Sequence, residues 1–247
     1  MSTIVLVHGG WHAAWCWLRL LPFLEGSGHR VLAPDLPGHG EDRTPLSAKP
    51  YEMYVPTVTE LLERIQDRVI LVGHSSGGMI ITEAFRRSSR RIKALVYLSA
   101  FLLPPGKTLG DIMPINYESL LSGCLEIDSA NGVSIVRKDC AKTVFYGDCS
   151  DEDAAWAISR LQPEPLIPRT AHSSDEGWPP DATDCPRRFY IECLQDHALT
   201  PRAQQWMYST SRCDAVYSLP TSHSPFLSTP ALLAERLLEI EHSISTL

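Results

Sequence analysis

The run Val69-Ile70-Leu71-Val72-Gly73-His74-Ser75-Ser76-Gly77-Gly78 constrains this chain more than any other stretch. Four aliphatic residues suit a strand buried on both faces. Gly-x-Ser-x-Gly then forms a sharp turn, and Met79 to Phe85 continues with apolar positions that suit a buried helix. Such a turn lifts one serine, Ser75, to the top of a sheet in a strained backbone conformation. Glycine is needed two residues to either side, because side chains there would collide with the neighbouring strand and helix. The plain alternative is an ordinary turn with Ser75 as a surface hydroxyl. The strand before it and the helix after it favour a nucleophile.

The rest of the chain alternates in the same rhythm. Strands are expected at Ile4–Val7, Arg30–Pro34, Val69–Val72, Ile92–Leu98, Arg188–Cys193 and Ala215–Leu219. Helices are expected at Trp17–Glu25, Pro56–Gln66 and Pro230 to about Ser243, with a further start at Asp151. Short apolar strands between helices predict an α/β domain with a mostly parallel central sheet flanked by helices. The rhythm breaks after Ala100. Residues 107–184 show helical patterns and few strand patterns, between Pro104-Pro105-Gly106 and Pro179-Pro180. We read 1–247 as a single domain with 107–184 as a helical cap, or lid, over the carboxyl edge of the sheet, where open α/β sheets bind ligands.

Composition narrows the function classes. The net charge of -7 and the lack of long basic runs argue against a nucleic-acid partner. Arg86-Arg87 and Arg90-Arg91 suit the solvated end of the helix after the turn. No run is long enough to span a membrane, and no secretory signal is visible, so a cytoplasmic location is expected. The seven cysteines show no Cys-x-x-Cys spacing and are read as free thiols, with a disulfide among the middle four as the alternative. Histidine and cysteine spacings suit no metal site, and no phosphate-binding loop is present. No cofactor is expected.

A nucleophilic serine needs a histidine to take its proton and a carboxylate to orient that histidine. On strand–turn–helix scaffolds they follow the serine in the order acid, then histidine, on loops after the last two strands. Asp196 follows the strand ending at Cys193, and His223 follows the strand ending at Leu219. Asp184 and Asp214 lie at the wrong strand ends, and Asp35 is out of order. His197 adjoins the acid, and His172 falls in the insertion. His8, His12, His29 and His39 precede the serine, and His242 is near the C-terminus. All read as structural or solvated. Two backbone N–H groups would hold an oxyanion, one from Ser76 and one from the His8-Gly9-Gly10-Trp11 loop, through Gly10.

With these residues in place, the chain resembles the α/β-hydrolase superfamily over essentially its full length. It is most similar to the branch of plant methyl-salicylate esterases, hydroxynitrile lyases and bacterial carboxylesterases that include pyrethroid hydrolases. The matching residues are Val7-His8-Gly9-Gly10-Trp11-His12-Ala13-Ala14-Trp15, Gly28-His29-Arg30-Val31, Ala33 to Gly40, and the serine turn. Tyr146 to Ser150, Gln204 to Met207, and Ser222 to Phe226 followed by Pro230 add to the match. Lyases of the branch carry threonine where this chain has Gly9, and lysine where it has Ser224. The resemblance therefore implies ester hydrolysis; a small to medium, fairly apolar ester and a monomer or homodimer are expected. Gly9, Trp11, Phe145, Trp156, Leu161 and Ser224 are expected to contact the substrate. A carbon–carbon lyase and a non-catalytic small-molecule receptor are the rival readings.

Overall fold

The computed structural model describes residues 1–46, 50–171 and 186–245. Six strands form one sheet: β1 (Thr3–Val7), β2 (Arg30–Leu32), β3 (Val69–His74), β4 (Ile92–Leu98), β8 (Arg187–Cys193) and β9 (Ala215–Leu219). Their order is β2-β1-β3-β4-β8-β9, and every pairing is parallel. Three more strands, β5 (Leu125–Asp128), β6 (Val133–Val136) and β7 (Glu164–Pro165), make a separate antiparallel sheet.

Strand periodicity sends alternate residues to opposite faces. Ile4, Leu6, Ile70, Val72, Ala94 and Val96 join one core, against Trp17, Leu20, Phe226 and Leu237. Val5, Val7, Leu71, Leu95 and Tyr97 join the other, against Val58, Leu62, Ile80 and Ile81. Each fully buried aliphatic side chain contributes about 1.5–3 kcal/mol. A sheet buried on both faces therefore has no use for polar alternation, which is why these strands read as continuous apolar runs.

The helices are α1 (Leu21–Gly26), α2 (Pro50–Arg64), α3 (Gly77–Ser88), α4 (Leu109–Ile112), α5 (Lys138–Phe145), α6 (Asp151–Ile158), α7 (Pro201–Thr210), α8 (Pro225–Ser228) and α9 (Pro230–Ser245). Two differ from expectation. The stretch Trp17–Glu25 splits into a 3-10 turn, Ala14–Trp17, and α1. Pro22 has no N–H to donate, so it sits in the first turn of a helix that starts anew beside it. Helix α2 begins at Pro50 and runs through Pro56, rather than starting there.

The larger correction concerns the insertion between β4 and β8. It is not purely helical, because β5 and β6 form a hairpin and β7 pairs with β6. Asn131-Gly132 between Leu125-Glu126-Ile127 and Val133-Ser134-Ile135 is a strong short-range hairpin pattern. Asp128 reinforces it by accepting from the N–H groups of Ala130 and Asn131, each at 3.1 Å. Asp184, His172, Cys185, Pro179-Pro180 and the far boundary of the expected cap lie outside the described residues.

The free-thiol reading is also corrected. Cys124 and Cys140 form a disulfide, with Cα atoms 5.8 Å apart, that ties the start of the hairpin to α5. Cys16, Cys149 and Cys193 are free. The expectation of a reducing compartment thereby loses its support from the cysteines. The bridge closes a separation of 16 residues, so removing it with Cys140→Ser is expected to cost about 3 kcal/mol, or roughly 6–12 °C in Tm. Thermal unfolding with and without reductant checks this, since reductant would lower the wild type to the variant and leave the variant unmoved. Among the described residues, no helix is long and apolar enough to cross a membrane.

Candidate active site

Parallel register brings the carboxyl ends of the strands side by side. Val7 pairs with Gly73, His74 with Leu98, Leu98 with Ile191, and Cys193 with Leu219. The loops after β1, β3, β4, β8 and β9 therefore meet at one edge, and the candidate residues lie on them.

Ser75 adopts φ +52, in the left-handed region that non-glycine residues rarely occupy. A Cβ on Gly73 would stand 2.6 Å from the Gly77 carbonyl oxygen, and one on Gly77 would stand 2.8 Å from that of His8. Only glycine fits at either place. The Ser75 carbonyl accepts from the N–H groups of Phe101 (3.0 Å) and Gly78 (3.1 Å), so the strained turn is held from both sides.

Asp196 and His223 meet in the buried layer behind the turn. His223 Nδ1 lies 2.6 Å from Asp196 Oδ2. The same oxygen accepts from the Ser99 hydroxyl and from Gln204 Nε2 at 3.4 Å. The other oxygen accepts from the N–H groups of Ala198 (2.7 Å) and Leu199 (2.9 Å). Five donors converge on one buried carboxylate, which suits it to fix an imidazole. Ser99, φ +39, also lies 3.5 Å from His223 Nδ1. Ser99 and Gln204 had no role in the sequence reading, since a serine after β4 and a glutamine in α7 carry no local signature.

His74, the residue before Ser75, links the turn to the His223 loop. Its Nε2 donates to the His223 carbonyl at 2.9 Å, and the two rings lie 4.5 Å apart. Burial, followed by the nearby His223, holds the His74 pKa well below its usual value. Two more imidazoles behave alike. His8 donates from Nδ1 to the Gly9 carbonyl and accepts at Nε2 from the Leu36 N–H. Burial, then the charge of His39, pushes its pKa down to about 3. His12 bridges the Gly10 carbonyl and the Tyr146 hydroxyl, each at 2.8 Å. Burial pushes it down to about 4. These histidines are structural braces. His197 is exposed, with its Nδ1 3.1 Å from the Thr143 carbonyl. Asp35 also braces, accepting from the N–H groups of Ala14 (2.7 Å) and Glu41 (2.9 Å).

A cavity of about 370 Å³ opens over Ser75. Gly10, Trp11 and Ser76 line it on the sheet side. Its wall from the insertion is mostly apolar, with Leu109, Leu121, Leu125, Ile127, Leu166 and Ile167, and also carries Ser134 and Glu164. The Gly10 N–H donates to the Ser76 hydroxyl at 2.8 Å.

Of the expected substrate contacts, Trp11 is on the cavity wall. Phe145 is buried in the core instead, Trp156 and Leu161 are partly buried against that core, and none of the three lines the cavity. Phe145 packs its ring 5.6 Å from His223 and Trp156 packs 5.4 Å from Trp15. Helical spacing of aromatic residues here serves packing, not the pocket. Ser224 is fully buried at the start of α8. Gly9 backs directly onto the serine: a Cβ there would stand 2.7 Å from Ser75 Cβ. No cluster among the described residues could hold a metal ion.

A serine on a strained strand–helix turn, with loops converging on it at the carboxyl edge of a parallel sheet, defines a class. The chain belongs to the alpha/beta hydrolase family, whose model it matches over residues 4–236. It is 32% identical over 248 residues to a pyrethroid hydrolase from Sphingobium wenxiniae, covering 97% of this chain and 87% of that protein. It is 31% identical over 255 residues to methylesterase 1 of Arabidopsis thaliana, covering 96% and 94%. Among solved structures, a pyrethroid hydrolase from Sphingobium faniae superposes with a TM-score of 0.83 at 28% identity, covering 100% of this chain and 99% of that one.

Proposed function

We propose that this esterase cleaves uncharged, largely apolar carboxylic esters through an acyl-enzyme on Ser75, with His223 and Asp196 completing a triad. The observation that carries the reading is the buried Asp196–His223 pair at 2.6 Å, joined through His74 to the turn that presents Ser75 to an apolar cavity. Ser75 Oγ attacks the ester carbonyl, and His223 takes its proton. Asp196 keeps the imidazole in the right tautomer and stabilises the imidazolium. His223 then protonates the leaving alcohol, and water releases the acid by the reverse sequence.

The developing oxyanion is held by the N–H groups of Ser76 and Gly10. The Gly10 N–H is engaged by the Ser76 hydroxyl in this structure, so the substrate oxygen takes over that hydrogen bond. The cavity volume suits a small to medium ester, and among the described residues its one charged side chain, Glu164, is already paired with His39, which does not reward an ionic substrate. The similarities to a pyrethroid hydrolase and to methylesterases support ester cleavage.

Two positions weigh against lyase chemistry. The backbone leaves no room for a side chain at Gly9, and Ser224, rather than a cation, follows His223. We expect hydrolysis of p-nitrophenyl acetate and longer acyl esters, and no cyanide from mandelonitrile. A fluorophosphonate is expected to label Ser75. Cyanide release without ester turnover would establish the lyase instead. Absence of labelling and of turnover in a folded sample would establish a receptor.

A further inference from the structure

Trp11 follows the oxyanion residue Gly10, and its backbone lies at φ +61, a conformation bulky residues rarely hold. All three of its polar groups are gripped by the insertion. Its N–H donates to Glu164 Oε2 at 3.1 Å. Its carbonyl accepts from the Gln162 N–H at 3.0 Å. Its indole N–H donates to the Ser134 carbonyl and hydroxyl, both at 3.2 Å. These partners lie on β6, on β7 and just before β7. The small antiparallel sheet is thus bonded to the loop that supplies one oxyanion donor.

Glu164 is central to this grip. It is 3% exposed and is the only charged side chain among the described residues that line the cavity. From the opposite side, the Tyr54 hydroxyl of α2 donates to its Oε1 at 3.2 Å, and His39 Nε2 lies 2.9 Å from its Oε2. Burial alone pulls the His39 pKa down, but the hydrogen bond and charge of Glu164 carry it above its usual value. A lone carboxylate beside a developing oxyanion would oppose the reaction. Paired with His39, whose protonated form it favours, Glu164 can stay there and anchor the loop.

We propose that Glu164 is a positioning residue for ester hydrolysis: by holding the Trp11 N–H it fixes the strained loop and so aims the Gly10 N–H at the oxyanion. This rests on the hydrolase reading above. Loss of one oxyanion donor costs about 10²–10³ in kcat, and small displacements of positioned groups cost a substantial part of that.

The test is Glu164→Gln, which keeps the volume, beside Tyr54→Phe, which removes one prop and disturbs the fold less. Active sites are counted by fluorophosphonate titration, and kcat and KM for a p-nitrophenyl ester are expressed per titrated site. Glu164→Gln is expected to lower kcat about 10–100-fold with KM changed less than about threefold. Affinity for a trifluoromethyl ketone, which forms an oxyanion adduct, is expected to fall in step. Tyr54→Phe is expected to shift kcat the same way by about two- to fivefold, and it carries the test should Glu164→Gln not fold. An unchanged kcat per titrated site, or a change in KM alone, overturns the proposal, because a merely structural residue would alter only the number of active sites. A wild type inert toward all esters overturns the hydrolase reading and this proposal with it.

Discussion

Ser75→Ala and His223→Ala are each expected to lower kcat for a p-nitrophenyl ester by about a millionfold, and the double variant by no more than either alone. In the proposed triad the three groups act as one unit, so removing the nucleophile or its base ends the same proton transfer. Asp196→Asn is expected to cost less, about 10⁴-fold, since the pair survives but the imidazole is held in the wrong tautomer. The measurement is steady-state turnover with circular dichroism to confirm the fold. Ser75→Ala with more than a thousandth of wild-type activity would remove Ser75 as nucleophile. Asp196→Ala is a poorer probe. It would leave the N–H groups of Ala198 and Leu199, and the Ser99 hydroxyl, without their shared acceptor, and so would damage stability as well as catalysis.

The second large effect is on stability in acid. His8, His12 and His74 are buried, with pKa values of about 3, about 4 and well below the usual 6.5. Unfolding exposes them, and each then binds a proton below pH 6.5 that the folded chain refuses. The unfolded state holds more protons in that window, so stability falls as pH falls. Between pH 7 and pH 5 His8 and His12 each contribute a loss of about 2 kcal/mol, and His74 acts in the same direction. That is a large fraction of the whole stability of many domains. His39 runs the other way. Its raised pKa adds stability that is present in acid and lost as pH rises through the folded value, and it offsets part of the loss. Urea midpoints at pH 7, 6 and 5 are expected to fall steadily. An unchanged midpoint at pH 5 would mean that the imidazoles are charged, or exposed, in the folded chain.

The strand and helix pattern of the main sheet was legible because each strand is a run of apolar residues bounded by a turn. The order Ser75, Asp196, His223 was legible for a related reason. A parallel sheet places successive loops at one edge, so position after a strand stands in for position in space. Where local signals conflicted, the reading failed. Trp17–Glu25 reads as one helix although a boundary falls beside Pro22, and Pro56 reads as a helix start although the helix runs through it. The Asn131-Gly132 hairpin was overlooked among helical patterns. The pairing of Cys124 with Cys140 depends on how the hairpin and α5 pack, which spacing does not encode.

Around Ser75, then, the sequence by itself determined the strained turn, the two glycines that permit it, and which aspartate and histidine stand at the right strand ends. Those are consequences of backbone sterics and strand order, both written locally along the chain. Only the tertiary structure decided that Ser99 and Gln204 share the Asp196 carboxylate, that His74 braces the His223 loop, and that Glu164 grips Trp11. It also assigned the cavity wall to Leu121, Leu125 and Leu166, put Phe145 in the core and packed Trp156 against that core. Hydrogen bonds and packing between residues 97 or 153 positions apart follow from how layers settle against one another, and no local pattern in either segment carries that information.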